Sequence, residues 1–553
     1  MTSSASKLLK NIPSSRWTVL MLFALAMFST FFFDDILSPL KSILETSRGW
    51  DSLDFGTFAG SSSFFNVFLF FLIFAGIILD KMGVRFTAVL AGAVMVIGAA
   101  IEWYAVTDMF AGTNLENWFN YNLNYVPVFD QLGVSPFYRG MRASAKLASV
   151  GYMVFGCGIE MAGITVMRGI IKWFKGKELA LALGLNMAIS RLGMATCMMF
   201  SPLIANSVAS GSTDVSRSVL FGLVFLTIGL FMFVLFFIID KKSDSRSGSV
   251  EEKDDPFKIS DIGKIFTSGG FWLVALLCVM YYSAIFPFQK YAVNMLECNL
   301  SFAPLSSNSF WATGTAITLQ YLVMLATAAA AFSSNFCNKR TRNLLLAVSL
   351  ALLAAVCFMT YGQQSAGAIF SVFPLLAMCI TPVLGSYIDR NGKAVTMLML
   401  GAILLIACHL TFAFVLPLFK WYAAGGFVVA YSTILVLGAS FSLVPASLWP
   451  LVPKLVDKNV LGTAYALIFW IQSIGLWLLP ILIGKALTSS NTDVAEMLRQ
   501  GLVTSDEASV MYNYTNPLIM LACLGGIALV LGFVLKNTDK KKAIGLELPN
   551  INA

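Results

Sequence analysis

One pattern repeats along the whole chain: long apolar runs, each separated from the next by a polar loop that is usually short. Fourteen such runs can be read, the first over 17–44 and the last over 515–536. A run of about 18 or more residues with few charges is long enough to cross a bilayer as a helix. Backbone inside hydrocarbon must satisfy its own N–H and C=O groups, so only helices and closed barrels can span. These runs are continuous rather than alternating, which selects helices. Hydrophobic residues make up 58% of the chain and charged residues 12%, a balance foreign to soluble domains of 553 residues. The expectation is an all-α polytopic membrane protein.

Charge placement predicts the orientation, because cytoplasmic loops concentrate Lys and Arg. With the N-terminus inside, most of the 37 Lys and Arg fall on the cytoplasmic side. They lie at Lys81 and Arg85, Arg168 to Lys177, Lys339 to Arg342, Arg390 and Lys393, Lys454 and Lys458, and Lys536 to Lys542. An even number of crossings places both termini there. The net charge of +8 is then a loop property and no sign of nucleic-acid binding. The charged stretch 241–265 reads as a cytoplasmic linker between an N-terminal half, 1–240, and a C-terminal half, 266–553. Polar residues with Lys7, Lys10 and Arg16 precede a first run too long for a signal-peptide core, so no cleavable signal is expected. The nine Cys are scattered without a C-x-x-C pair, and His409 is the single histidine. No metal site, cofactor or enzymatic constellation is expected from such a set.

A charge in mid-membrane costs at least about 2.5–3.5 kcal/mol, and a cost of that size needs a compensating reason. Glu160 and Arg191 lie in consecutive runs, each roughly 15 residues, or about 23 Å, from the basic loop that joins them. They should share one depth. They could form a structural salt bridge, or be the poles of a cavity that meets a zwitterionic or charged substrate. Asp34 and Asp35 sit about 28 Å along the first helix from Arg16. One could face the cavity while the other caps a break before Pro39; both could equally be polar residues at the outer mouth, and proton coupling is a further possibility. Lys290, beside Pro287, could supply a second cation or snorkel to the outer interface. Tyr282 and Trp449 are candidates to line the cavity, Glu102 reads as interfacial, and His409 as a satisfied helix residue. The long outer loop 108–146 reads more simply as a variable loop than as a cover over the mouth.

A short motif occurs twice. Gly76-I-I-L-Asp80-Lys81-M-Gly83-V-Arg85 is matched by Gly385-S-Y-I-Asp389-Arg390-N-Gly392-Lys393, displaced by 309 residues (385 minus 76). Glycine permits tight turns and close helix approach. An Asp at a helix C-terminus opposes the helix dipole and needs a partner. Gly76, Asp80, Arg85, Gly385, Asp389 and Arg390 are therefore candidate gating residues, locked when the inner side closes and released when it opens.

The doubled motif resembles the loop signature of the major facilitator superfamily. That resemblance implies two six-helix bundles with substrate between them. Here the second copy comes two segments late, so an extra transmembrane hairpin is expected at about 309–362, giving about 14 helices. Further stretches resemble the lysosomal dipeptide uniporter family: Phe155-G-C-G-I-Glu160, Trp173-F-K-G-K-E-Leu179, Arg191-L-Gly193, Tyr281-Y-S-A-I-F-P-Phe288 and Ser447-L-W-Pro450. Phe33-D-Asp35 is similar to its first-helix Tyr-Asp site. The resemblance implies uniport of dipeptides, with Glu160 and Arg191 in substrate binding. Arg grips a carboxylate bidentately, which suits one end of a dipeptide. Proton symport is the alternative mechanism. An organic-anion or drug carrier of the same fold is an alternative function, and a non-transporting receptor or scaffold another. The expected partners are a small dipeptide-like substrate and the lipid bilayer, with an accessory subunit unknown. The expected compartment is a bacterial inner membrane, or alternatively the lysosomal membrane; no acid precedes Leu8-Leu9 to make a dileucine sorting signal.

Overall fold

Helix-breaking residues and caps divide the apolar runs much as their spacing suggests. A computed structural model describes residues 13–123, 137–174, 178–206, 213–247, 263, 265–304, 309–334, 337–456 and 461–549. The Lys175–Lys177 loop, Lys458, the N-terminal Lys7 and Lys10, and most of the expected 241–265 linker lie outside these residues.

The membrane segments are α1 (Pro13–Asp34), α2 (52–82), α3 (84–106), α4 (Ala143–Phe174), α5 (Leu179–Ala205), α6 (Val215–Ser247) and α7 (Gly269–Asn299). They continue as α8 (Gly314–Ser333), α9 (Lys339–Gly362), α10 (366–391), α11 (394–419), α12 (Ala423–Leu455), α13 (Leu461–Ser490) and α14 (Thr515–Lys542). Thirteen described helices are long and apolar enough to cross a membrane. One of them, Phe71–Val106, has 36 residues, about 54 Å of helix and nearly twice a bilayer core. It turns at Gly83, where φ is +76° and ψ 167°, so it serves two crossings. The chain is a multi-pass integral membrane protein.

α1 stops at Asp34, and a 3-10 turn, Ser38–Leu40, carries Pro39 before a short amphipathic helix, Lys41–Arg48. The expected break is there. α2 is broken too: Ser52–Ser61 and Phe64–Leu69 precede Phe70, a non-glycine residue in the left-handed region with φ +52°. The backbone groups freed by this break find partners. Leu72 N–H donates to Asn66 Oδ1 at 3.1 Å, and Trp470 Nε1 of α13 donates to Val67 O at 3.0 Å. Such repairs are what hydrocarbon demands of irregular backbone. Capping is also supplied locally, as where Asn338 Oδ1 accepts from Thr341 N at 2.9 Å to open α9.

α1–α6 pack as one bundle, and α7 with α10–α14 as the other. α3 and α4 lie nearly in backbone contact, since a Cβ on Gly98 would sit 2.4 Å from Phe155 N. The extra hairpin, α8–α9, packs on α10, in the place the displaced motif predicted. Both described chain ends lie on one face, called the terminal side below. The tail joins there: Lys393 N–H donates to Glu547 O at 2.9 Å, and Glu547 Oε1 accepts from Thr396 N at 3.1 Å.

The bundles meet chiefly through α2 with α13 and α5 with α10. On the side opposite the termini this seam is shut. A Cβ on Gly60 would lie 2.3 Å from Trp477 O, one on Gly367 2.3 Å from Met198 O, and one on Gly484 2.3 Å from Ser52 O. Tyr291 Oη of α7 donates toward Ser52 O at 3.2 Å and Pro480 O at 3.0 Å. A methyl at Gly60 cannot fit this state without separating the helices. Overpacking of this kind costs about 1–3 kcal/mol, a shift of roughly 5- to 150-fold in the balance of two conformations. Gly60→Ala is therefore expected to raise labelling of a cysteine placed at Ser52 from the opposite side; unchanged labelling would show that this contact does not hold the seam.

Where it is described, the outer loop is packed against the bundle. Asn114–Tyr121 forms a helix, and the buried Lys146 Nζ of α4 donates to Phe119 O at 2.8 Å. Arg48 pairs with Asp108 at 2.6 Å, and Tyr138 Oη donates to Asp54 Oδ1 at 2.6 Å. Burying Lys146 requires carbonyl acceptors, and the loop provides them.

Candidate functional site

On the terminal side α5 and α10 part and leave a cavity of about 350 Å³. That volume is at the small end of ligand pockets, about 300–1,000 Å³. Gly184 and Arg191 line it from α5, Thr381, Gly385, Asp389 and Arg390 from α10, and Phe332 from α8. Arg191 lies at the deep end. Its Nη1 donates to Ala377 O at 2.9 Å and to the Thr381 hydroxyl, and its guanidinium lies 4.9 Å from the centre of the Phe441 ring of α12. Arg191 thus reaches across the bundle interface to neutral acceptors.

Glu160 is not its partner. Among the described residues Glu160 makes no ion pair or hydrogen bond, and it is absent from the wall of this cavity. The spacing that suggested a shared depth does not bring the two side chains together. The structural salt bridge does not form in this conformation. Glu160 instead lies within electrostatic reach of Asp34.

Asp35 and Lys290 are brought together. Lys290 Nζ lies 2.8 Å from Asp35 Oδ1 and 3.4 Å from Asp34 Oδ2, and donates to Asp34 O at 2.7 Å and Tyr152 Oη at 3.0 Å. Gln289 Nε2 donates to Asp35 Oδ2 at 2.6 Å, and Ser38 Oγ to Asp35 Oδ1 at 3.1 Å. The Lys290 ammonium is held by these groups and ties α7 of one bundle to the end of α1 of the other. Glu102 faces protein rather than lipid. It is 1% exposed, neither carboxylate oxygen meets a donor among the described residues, and Lys290 and Asp34 are its electrostatic neighbours. Tyr282 and Trp449 touch each other, Trp449 Nε1 donating to Tyr282 Oη at 3.1 Å, and Tyr282 interacts electrostatically with Arg191. His409 is buried, its Nδ1 2.9 Å from Leu405 O within its own helix.

The gating candidates behave differently from the expectation. Asp80 is paired with Arg168, and Arg85 Nε with Asp240 Oδ2 at 2.6 Å. Both pairs lie inside the first bundle and are intact although the cavity faces this side. In this conformation they brace one bundle rather than latch two. Gly76 and Gly385 are not close-approach sites here, since a Cβ on either would meet nothing within 4 Å. The turns belong to the second glycine of each motif copy: Gly83, and Gly392 with φ +70°.

Asp240 escaped the sequence reading because it adjoins Lys241 and Lys242 and looks like an ordinary loop charge. Its buried carboxylate takes Arg85, Lys172 Nζ at 2.8 Å and Trp173 Nε1 at 2.7 Å. A buried carboxylate with such partners is costly to neutralise, and breaking a buried pair costs about 3–5 kcal/mol. Asp240→Asn is expected to lower the thermal unfolding midpoint in detergent by several degrees; an unchanged midpoint would mean that the three donors find water instead. The closed side also has a polar contact that the sequence did not advertise. Tyr512 Oη donates to Glu45, whose Oε2 lies 3.2 Å from Lys41 Nζ, and Tyr514 Oη donates to Asn294 Oδ1 at 2.5 Å.

Two bundles closed on one side, with an Arg-bearing cavity on the other, are the architecture of one large class of helical membrane proteins. The chain belongs to the Major Facilitator Superfamily, whose sequence pattern matches residues 23–365. It is 24% identical over 374 residues to the Lysosomal dipeptide transporter MFSD1 of Bos taurus, covering 66% of this chain and 64% of that protein. Among solved structures it resembles a bacterial homologue of the human lysosomal transporter Spinster, in an inward-facing and occupied conformation. The TM-score is 0.55 at 12% identity, covering 95% of this chain and 98% of that one. A bacterial homologue of the human drug peptide transporters PepT1 and PepT2 gives TM-score 0.55 at 11% identity, covering 95% and 99%.

Proposed function

We propose that the protein carries dipeptides, or similar zwitterions, across its membrane by alternating access and uniport. The observation that carries this reading is Arg191, whose guanidinium rests on a carbonyl and a hydroxyl at the deep end of a cavity between the bundles. A carboxylate is a stronger acceptor for that fork than either neutral group. Similarity to proteins named as dipeptide transporters supports the substrate class. Glu160, without a hydrogen-bond or ion-pair partner among the described residues, is the proposed site for the ammonium, which it would engage as the bundles close around the substrate. The concentration of Lys and Arg on the terminal side favours a cytoplasmic location for that side, and the conformation is then inward-open. The lined cavity suits a bacterial inner-membrane or a lysosomal carrier equally.

A second mechanism has its own observation. Asp34 and Asp35 hold Lys290 at 3.4 and 2.8 Å, with the buried Glu102 within electrostatic reach, and a cluster of acids around one base forms a site able to exchange a proton during transport. One experiment separates the two: uptake of a labelled neutral dipeptide into proteoliposomes, with and without an inward proton gradient. Equilibration regardless of the gradient supports uniport, accumulation only with it supports proton symport, and no saturable uptake by folded protein overturns the substrate assignment.

A further inference from the structure

The extra hairpin has no counterpart in a twelve-helix core, yet one of its side chains reaches the cavity. α8 runs antiparallel to α5. Near the closed side Tyr321 of α8 meets Phe200 of α5 edge-on, with ring centres 6.0 Å apart. About 16 Å further along α8, at its terminal-side end, Phe332 lines the cavity beside Leu181 and Gly184. α8 therefore follows the seam between α5 and α10 through most of the membrane.

The hairpin is fastened to the second bundle. Its own two helices are joined where Ser349 Oγ of α9 donates to Thr327 O of α8 at 3.2 Å, and α9 is held to α12 by Thr360 and Tyr431, which share a hydroxyl contact of 2.6 Å, and by Tyr361, which packs edge-on against Phe427 at 5.0 Å. The hairpin meets α5 through the aromatic edge of Tyr321, the kind of surface that can slide. At the cavity, α5 and α10 have separated far enough that a Cβ on Gly184 or Gly385 would touch nothing within 4 Å. A gap of that kind between spanning helices is open to acyl chains unless something covers it. Filling it with hydrocarbon would also set Arg191 against lipid, at the cost of a charge in the bilayer.

We propose that α8–α9 is a lateral wall, with Phe332 as its inner edge, which keeps acyl chains out of the α5–α10 seam while the cavity stands open. The wall moves with the second bundle and slides on α5 through Tyr321 and Phe200. This goes beyond the transport reading and does not depend on which substrate is carried.

The test uses full-length protein in liposomes, with an environment-sensitive fluorophore on Gly184→Cys after replacement of the exposed Cys337 and Cys523. Quenching by phospholipids brominated on their acyl chains is compared with the same probe on Leu322→Cys, a residue 55% exposed on α8. The expected result is strong quenching at 322 and at least threefold weaker quenching at 184, with aqueous iodide reaching 184. Phe332→Ala is expected to bring lipid quenching at 184 up to the level at 322, whereas Phe332→Leu, which keeps apolar bulk, preserves protection and controls for misfolding. Equal lipid quenching at 184 and 322 in the otherwise unaltered protein overturns the wall. Continued protection in a folded Phe332→Ala protein overturns the role of Phe332. Neither readout involves transport, so loss of the dipeptide assignment would leave the outcome untouched.

Discussion

Uptake of a neutral dipeptide is expected to fall by at least about 100-fold when Arg191 is replaced by Ala. The guanidinium donates to Ala377 O and the Thr381 hydroxyl and stacks on Phe441, so its donors are already aimed at the deep end of the cavity. Hydrogen bonds to a charged group contribute about 1.5–3 kcal/mol each. Two such bonds to a substrate carboxylate amount to about 3–6 kcal/mol, and every 1.4 kcal/mol is a factor of ten in affinity. Arg191→Lys keeps the charge but not the fork, and should recover only a minor part of the uptake. Glu160→Gln should also reduce uptake of dipeptides, while an organic anion without an ammonium would be indifferent to it. Uptake at the parent level in Arg191→Ala would remove the carboxylate site from the proposal. Loss in Arg191→Ala with full activity in Glu160→Gln would favour an anion carrier.

Lys290→Met should be the most destabilising single change in the membrane interior. It strips the base from Asp34 and Asp35 at once, with Asp35 fully buried. Removing one member of a buried pair costs about 3–5 kcal/mol, because the remaining charge is left uncompensated. The expected result is a clear fall in the thermal midpoint, and loosening of the closed side, since this contact ties α1 to α7. Lys290→Met combined with Asp35→Asn should regain much of the loss, because an amide can still accept from Ser38 and needs no counter-charge. A double variant as unstable as the sum of its parts would show that Lys290 acts through packing against Tyr152 rather than through charge.

Much of the architecture was legible in the residues because the bilayer imposes one rule on every crossing. Apolar length gave the fourteen segments, the displacement of the doubled motif located the hairpin, and Asp34 to Pro39 marked the break in α1.

Direction around the helix axis was a different matter. Whether Arg191 points at Glu160 or across to Ala377, whether Lys290 snorkels or meets Asp35 from 255 residues away (290 minus 35), and whether Glu102 faces lipid or the core depend on how neighbouring helices rotate and pack. That packing is set by distant sequence, such as the glycines that let α3 meet α4 and α2 meet α13. The same holds for Asp240, which local sequence disguises as a loop residue and tertiary structure makes the hub of three donors. The sequence alone determined about how many helices cross and where the first of them breaks, because hydrophobic length and helix-breaking residues are local. Tertiary structure alone decided which charges meet and which side of the seam stands open, because both follow from contacts between segments hundreds of residues apart.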